Sequence, residues 1–371
     1  MKEIEKIVDR YQQINWQEEQ VALGTVVKVE GSAYRRIGAR MFVSNNGQWV
    51  GGISGGCLEG DALKRAQIAI MKNESSIVVY DTTEDDPHQI GVGLGCNGRI
   101  EVLLTPIDHT NKNNQIQFLQ QIIDQRDSTI LLQVLNIKKG QSSLRGAFYT
   151  QDNLNDLASA IEVDLVEIKE KIKRVFYKRK SKVFTLINSE GQEYEILFEL
   201  IRPKIKLVCI GDNYDVNAFM GIATELGWEI HVAGKPRKLS RSVYQAAKKT
   251  YSIQEAKSIK MDEYTAVVLM SHDYKTDLAL LQEYIKIDIP YIGLLGPKKR
   301  LLKMQDELAE NDTEVNLEQL PNLYAPIGLD IGAESPEEIA LSIAAEIIAV
   351  FREREGYFLR KRTGTIHERI V

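Results

Sequence analysis

The sequence predicts an α/β protein in two parts, a mixed α/β N-terminal domain followed by a parallel-sheet C-terminal domain. After residue 204, short apolar strands alternate with helices of ten or more residues, which is typical of a parallel sheet with crossover helices. Before that point hairpins, strands and helices are mixed without this rhythm. The run Arg202-Pro203-Lys204 marks the boundary, so we assign residues 1–200 and 201–371 to the two domains.

The N-terminal elements follow from hydrophobic periodicity and from turn residues such as Asn46-Gly47, a strong signal for a tight hairpin. Helices are predicted where apolar residues recur every three or four positions, and strands where short β-branched runs are bounded by turns. In chain order we predict helix 2–13, strand 21–29, hairpin 41–50, helix 58–71, strands 77–80 and 99–104, helix 114–125, strands 129–135 and 145–150, a charged helix 153–173, and hairpin 182–199.

The C-terminal elements alternate regularly. We predict strands 205–210, 229–233, 266–270 and 291–294, with helices 214–226, 275–286 and 298–309. A last helix is expected to begin at Ser335, with Pro336 at its first position and Glu338 completing a capping box.

Composition excludes several classes of protein. A net charge of -5 gives no basic face for nucleic acid. No apolar run approaches the roughly 18 residues of a membrane span, and the charged N-terminus lacks a signal-peptide pattern. Three cysteines in 371 residues do not form a secreted disulfide framework, so we expect a cytoplasmic protein.

The sharpest local feature is a glycine-dense loop at 51–57 that leads into a predicted helix and ends in Cys57. Glycines let a backbone approach a ligand closely, and a helix N-terminus binds anions and favours a thiolate. Glu59 lies in the first helical turn, where the helix dipole also favours a carboxylate. The alternative is a glycine-rich turn with an inert cysteine.

A second glycine loop, 91–98, contains Cys96 and opens into a strand. Two such cysteines are compatible with a redox pair, two metal ligands, or two soft contacts to one ligand. We expect no metal site, because the chain has only five histidines and no Cys-x-x-Cys pair. Cys209 lies inside an apolar strand and is predicted to be part of the core.

These loops carry a resemblance to a known family. The segment from Gly31 and Ser32 through Arg40 to the run 54–60 resembles the N-terminal signature of the xanthine dehydrogenase accessory (XdhC/CoxI) family. The run 93–101 is similar to its second signature, with Asn97 where the family usually has glycine. Asparagine tolerates left-handed backbone geometry best among the other residues.

The second half carries further motifs of the same family. Residues 271–273 with Asp277, the run 291–300 and the run 325–333 resemble its C-terminal domain, and the tail 364–367 resembles longer members. The resemblance therefore spans nearly the whole chain, with several long motifs in the same order.

The resemblance implies a cofactor-binding maturation factor rather than a catalyst. Such proteins receive the molybdenum cofactor, support its sulfuration, and deliver it to a xanthine dehydrogenase-type apoenzyme. It implies transient binding of that cofactor, a cofactor sulfurase as partner, and a homodimer. The implied chemical residues are Cys57, Cys96 and His272, and the implied cofactor-binding residues are Arg40, Ser54, Gly55, Gly56, Cys57, Glu59, Gly95, Cys96, Gly211, His272, Asp273 and Asp330.

The C-terminal domain begins like a dinucleotide-binding fold but lacks its full fingerprint. After strand 205–210 the pattern G-x-G-x-x-G/A is expected, yet Asn213 and Val216 replace its second and third glycines. Residues 233–235 carry no acidic group for a ribose, and Asp212 and Asp215 would repel a pyrophosphate. We therefore predict a Rossmann-like fold with weakened or absent NAD binding.

Three groups of charged or titratable residues in the C-terminal half each have a functional and a purely structural interpretation. His272 and Asp273 follow a strand, where ligands bind in open α/β sheets, or they are an exposed histidine and a helix cap. Asp330 is a ligand contact or a turn-forming residue. The basic run 298–300 is interpreted either as a contact to an anionic ligand or as a solvated helix face.

Other functions are weighed against the accessory role. An NAD(P)-dependent oxidoreductase would use the Rossmann-like half but has a broken fingerprint. A catalytic xanthine dehydrogenase subunit needs iron–sulfur cysteine clusters, which three scattered cysteines cannot ligate. A degenerate member would bind only an apoenzyme partner.

Overall fold

The computed structural model describes residues 1–31, 33–81, 98–138, 144–310 and 315–362. The chain divides into two compact units, Met1–Pro203 and Lys204–Val371. The first unit contains antiparallel sheets and the second a parallel sheet, so the predicted fold class is confirmed.

The first unit holds two antiparallel sheets. Its helices are α1 (Lys2–Gln12), α2 (Glu59–Lys72), α3 (Gln115–Ile122), α4 (Leu154–Ile161) and α5 (Leu165–Lys178). Its strands are β1 (Val21–Gly31), β2 (Arg40–Ser44), β3 (Trp49–Gly51), β4 (Ser76–Asp81), β5 (Gly98–Pro106), β6 (Thr129–Lys138), β7 (Phe148–Tyr149), β8 (Lys182–Ile187) and β9 (Glu193–Ile201). The strand orders are β3-β2-β1-β5-β4 and β7-β6-β9-β8.

Small residues bring α2 close to the first sheet. Ala62, Ala66 and Ala69 recur at helical spacing and are all buried against strand residues such as Val26 and Val102. The other face of this sheet packs on the second sheet, since alternate residues of a strand point to opposite faces. The first unit is therefore built in layers, with α2 on one side of the first sheet.

The predicted charged helix 153–173 is wrong, because the chain forms two helices there, α4 and α5. Glu162 takes a left-handed conformation with φ 55°, which ends α4. The Asp164 side chain then accepts the N–H of Val166 and caps α5. The predicted strand 145–150 is reduced to the two residues of β7.

The second unit holds one six-stranded parallel sheet. Its strands are β10 (Lys206–Ile210), β11 (Glu229–Ala233), β12 (Lys249–Tyr251), β13 (Thr265–Leu269), β14 (Tyr291–Leu294) and β15 (Leu323–Tyr324). Its helices are α6 (Tyr214–Glu225), α7 (Arg241–Ala246), α8 (Tyr274–Tyr284), α9 (Lys298–Glu310) and α10 (Pro336–Phe351). The spatial order β12-β11-β10-β13-β14-β15 is the 3-2-1-4-5-6 order of doubly wound dinucleotide-binding folds.

Helices cover both faces of this sheet, so its central strands are buried throughout. Leu207 and Cys209 face α6 and α10, whereas Val208 and Ile210 face α8 and α9. Cys209 is fully buried, as predicted, and burial raises the pKa of its thiol.

The capping box of α10 is present as predicted. Ser335 Oγ accepts the N–H of Glu338 at 3.3 Å, and Glu338 Oε2 accepts the N–H of Ser335 at 3.0 Å. The short elements α7, β12 and β15 were not predicted, since they carry little periodicity.

Candidate functional site

Residues 51–58, here named the glycine–cysteine loop, connect β3 to α2. Gly51 and Gly56 have φ values of 83° and 115°, a conformation that other residues rarely adopt. Gly55, Gly56 and Cys57 are exposed, and Leu58 is the N-cap of α2. The loop thus presents the Cys57 thiol to solvent immediately before a helix.

The Glu59 side chain folds back onto this loop. Its Oε1 accepts the N–H groups of Ile53 at 3.2 Å and Ser54 at 2.8 Å, and its Oε2 accepts that of Leu58 at 3.2 Å. Only 7% of Glu59 is exposed. Burial alone would raise the pKa of the carboxyl, but the hydrogen bonds from Ser54 and the backbone outweigh it and lower the pKa.

Ser54 joins this carboxylate to the thiol. Its hydroxyl donates a short hydrogen bond to Glu59 and accepts the N–H groups of Gly56 at 3.2 Å and Leu58 at 3.1 Å. Cys57 Sγ lies 3.6 Å from Ser54 Oγ. Glu59 and Ser54 therefore hold the loop that carries Cys57.

We expect Glu59→Gln to abolish a pH-dependent protection of this loop. A carboxyl with a lowered pKa contributes stability that is present above its unfolded value, about 4.3, and is lost as the pH falls through the folded value. The protection factors of the amides of residues 51–58, which compare measured exchange with intrinsic exchange at the same pH, should therefore fall in the wild type as the pH drops below that unfolded value. The variant should exchange faster at neutral pH and show no such step. The same pH step in both proteins would contradict this role of Glu59.

The start of α2 and the end of β4 lie together. The Tyr80 hydroxyl donates to Asp61 Oδ2 at 2.9 Å, and Asp81 pairs with Arg99 at the beginning of β5. Gly95 and Cys96 lie outside the described residues, as does Ser32, and the same holds for the tail motif 364–367.

Arg40, a predicted cofactor contact, lies inside the first unit. Its guanidinium is 2% exposed and donates to Glu199 Oε2 at 2.6 Å and to the carbonyl of Gly38 at 2.8 Å. Glu199 is itself 4% exposed and belongs to β9 of the other sheet. The pair links the two sheets, and the side chain would have to leave it to reach a ligand.

In the second unit, side chains occupy the turn where a dinucleotide fingerprint would lie. Asn213 caps α6 by accepting the N–H of Val216 at 3.3 Å, and its Nδ2 donates to the carbonyl of Met270 at 2.5 Å. Asp212 Oδ2 accepts the N–H of Lys235 at 2.9 Å. The turns after β10, β11 and β13 are thereby tied to one another.

His272 lies at this edge of the sheet with a left-handed φ of 60°. Its Nε2 is 2.8 Å from Asp215 Oδ2, and more than half of its side chain is exposed. Asp273 caps α8 by accepting the N–H of Thr276 at 2.8 Å, and this contact lowers the pKa of its carboxyl. The sequence pattern marks His272 as a candidate but gives no sign of Asp215 as its partner, because the two residues are far apart in the chain.

The remaining predicted residues are separate from this pair. Asp330 is exposed in the loop before α10. Within the basic run, Arg300 pairs with the buried Asp277 at 2.8 Å and Lys298 with Glu318 at 2.9 Å. Gly211 begins the turn after β10, where a Cβ atom would lie 2.6 Å from the carbonyl oxygen of Met270.

Across the described ranges no group of three or more His, Cys, Asp or Glu side chains is placed to hold a metal ion. Within the same ranges, none of the helices combines the length and apolarity needed to cross a bilayer.

These features define a class of two-domain α/β protein. The first unit is antiparallel and carries an exposed thiol on a glycine loop, and the second is Rossmann-like with Asn213 in place of a fingerprint glycine. Two family models match it: XdhC and CoxI family over residues 16–81, and XdhC Rossmann domain over residues 207–347. The chain belongs to the XdhC/CoxI family.

Two relatives match this chain along most of their length. The chain is 26% identical over 335 residues to a Bacillus subtilis protein named as a probable xanthine dehydrogenase subunit, covering 89% of this chain and 93% of that one. It is 24% identical over 334 residues to the molybdenum cofactor insertion chaperone PaoD of Escherichia coli, covering 90% and 84%.

A crystal structure of a xanthine dehydrogenase from Bacillus halodurans has the same fold. Its TM-score is 0.69 at 23% identity, covering 94% of this chain and 96% of the other. At this identity the likeness concerns the fold alone.

Proposed function

We propose that the protein is an accessory protein for a xanthine dehydrogenase-type molybdoenzyme, which binds the molybdenum cofactor, supports its sulfuration and delivers it to the apoenzyme. The observation that carries the proposal is the exposed Cys57 on a held glycine loop in a chain of the XdhC/CoxI family. The name of the PaoD relative supports a role in cofactor insertion. In this proposal the protein binds the molybdenum cofactor in order to transfer it, and does not use it as a resident cofactor of its own.

The residues of the loop fit part of this cargo. A thiol is a soft ligand suited to the molybdenum–sulfur end. Among the residues that the structure describes, none apart from the two chain neighbours lies within 4 Å of a Cβ built on Gly56, so a ligand can approach the backbone beside Cys57. The phosphate end fits less well at α2, because Glu59 already accepts N–H groups of the loop. Cys96 is proposed as a second soft contact.

The alternative is an NAD(P)-dependent oxidoreductase, which the strand order of the second unit favours. Two contacts oppose it. Asn213 fills the position of the second fingerprint glycine, and Asp212 turns its carboxylate toward the N–H of Lys235, where it would repel a pyrophosphate. We therefore propose that the second unit does not bind NAD, and that His272 and Asp215 act in the accessory role as a polar contact.

The test is the molybdenum and pterin content of the protein isolated from a cofactor-producing host, measured beside the double variant Cys57→Ser, Cys96→Ser. We expect cofactor in the wild type and at least a tenfold loss in the double variant, since a soft metal prefers sulfur to oxygen. The control variant is Ser189→Ala, because Ser189 lies in an exposed hairpin turn. Cys209→Ser is unsuitable as a control, because Cys209 is buried and its replacement would disturb the core.

Absence of cofactor from the wild type would refute cofactor binding, and a protein that still binds the apoenzyme would then be a partner-binding member. Equal retention in the double variant would refute the cysteine site. Saturable binding in a titration with NAD would favour the oxidoreductase. The proposed cytoplasmic location, homodimer and sulfurase partner follow from the accessory role and are tested by fractionation, sedimentation and co-purification.

A further inference from the structure

An exposed aromatic ring lies against the glycine–cysteine loop. Tyr34, in the turn between β1 and β2, is 70% exposed. A Cβ built on Gly55 would lie 3.5 Å from Tyr34 Cγ, 3.5 Å from Cδ1 and 3.7 Å from Cδ2. The near-equality of these distances places Gly55 over the face of the ring, because a contact at the ring edge would be much closer to one atom than to the others.

One face of the ring is thus supported by the loop while the side chain as a whole stays open to solvent. Folding normally buries large aromatic side chains, since each contributes 150–250 Å² of mainly apolar surface. A ring held flat on a glycine and left open on its other side is preorganised for stacking with a planar ligand.

The ring also lies close to the thiol along the chain. Gly55 and Cys57 are two residues apart, so their Cα atoms are separated by at most about 7.6 Å. One ligand of moderate size can therefore contact the Tyr34 ring and the Cys57 sulfur together. On the same turn Arg36 is exposed, and within the described ranges its guanidinium has no ion-pair partner, which suits a ligand that also bears negative charge.

We infer that Tyr34 is the stacking residue for the planar pyrimidinone ring of the pterin in the bound cofactor, whose sulfur-bearing end meets Cys57. This inference rests on the proposed function and assigns a contact to a residue outside the glycine–cysteine loop itself. Tyr34 acts through its ring face, and its hydroxyl is not required.

The test compares Tyr34→Ala, Tyr34→Phe and Tyr177→Ala with the wild type. Tyr177 is a matched control, because it is 83% exposed on α5 of the same unit. Each protein is isolated from the cofactor-producing host and its pterin is quantified after oxidation to a fluorescent form. Each is also titrated with a soluble pterin, whose own fluorescence is quenched by stacking. Thermal melting confirms that the variants fold.

We expect Tyr34→Ala to retain roughly tenfold less pterin, which is the usual effect of removing one stacked ring. Tyr34→Phe and Tyr177→Ala should retain and quench it as the wild type does. Equal retention by Tyr34→Ala and the wild type would overturn the stacking role and leave the proposed function intact. A loss in Tyr34→Phe as large as in Tyr34→Ala would also overturn it, since the ring would then not be the contact. A wild type without pterin in both assays would overturn the inference together with the proposed function.

Discussion

Replacing Glu199 by glutamine should lower the free energy of unfolding of the first unit by about 3–5 kcal/mol. The carboxylate is the buried partner of Arg40, whose guanidinium is 2% exposed between the two sheets. Removing one charge of such a pair leaves the other buried and uncompensated, which costs more than the pair itself contributes.

Hydrogen exchange of amides in β1 and β6, together with denaturant unfolding, measures this effect in the full chain. Glu195→Gln is the control, because Glu195 lies on the same strand but is only partly buried; it should change stability by no more than about 0.5 kcal/mol. The double variant Arg40→Met, Glu199→Leu should recover much of the loss, because apolar residues often replace a buried pair without cost.

The result also decides what Arg40 does. A large loss for Glu199→Gln, recovered in the double variant with cofactor still bound, would make Arg40 a structural residue and remove it from the cofactor-binding set. An unchanged unfolding midpoint would contradict the stabilising role and return Arg40 to the binding candidates.

Gly211→Ala should destabilise the second unit by about 3 kcal/mol. The new Cβ would lie 2.6 Å from the carbonyl oxygen of Met270 and 3.0 Å from Val216 Cγ2. The first of these atoms is backbone at the end of β13, so relief requires the turn after β10 to move away from the neighbouring strand.

Gly221→Ala is the matched control in the following helix. In the described part of the chain, no atom outside the neighbouring helix backbone lies within 4 Å of its added Cβ, and the residue is exposed inside α6. Alanine in a helix interior is favoured over glycine by about 0.5–1 kcal/mol, so this variant should be more stable than the wild type. Calorimetry of the two variants should give shifts of opposite sign. Equal melting of Gly211→Ala and the wild type would show that the close approach to Met270 is not rigid.

Elements with strong local signals were predictable from sequence. The Asn46-Gly47 hairpin and the Ser335 capping box are formed by neighbours in the chain, so their contacts are readable in the sequence. The break between α4 and α5 also had a signal, since Asp164 is a good N-cap, but the charged periodicity on both sides masked it.

The contacts that decide the role of a site residue are mostly long-range. Arg40 and Glu199 are 159 positions apart, and His272 and Asp215 are 57 apart. Nothing local identifies such partners. The sequence could single out Cys57 and His272 as candidate site residues, but it could not show that Glu59 accepts hydrogen bonds within its own loop or that Tyr34 lies on Gly55.

The Glu59 carboxylate accepts the same N–H groups of the glycine–cysteine loop that an anionic ligand would need, so it would compete with such a ligand. A carboxylate tethered beside the N–H groups it accepts acts at an effective concentration of about millimolar or higher, whereas a free phosphate must arrive from dilute solution. A phosphate alone is therefore a poor entrant at the start of α2. In the proposed function, a cofactor that contacts Cys57 through sulfur and Tyr34 through a planar ring need not replace these hydrogen bonds, so we expect the loop to select its ligand by softness and shape before charge.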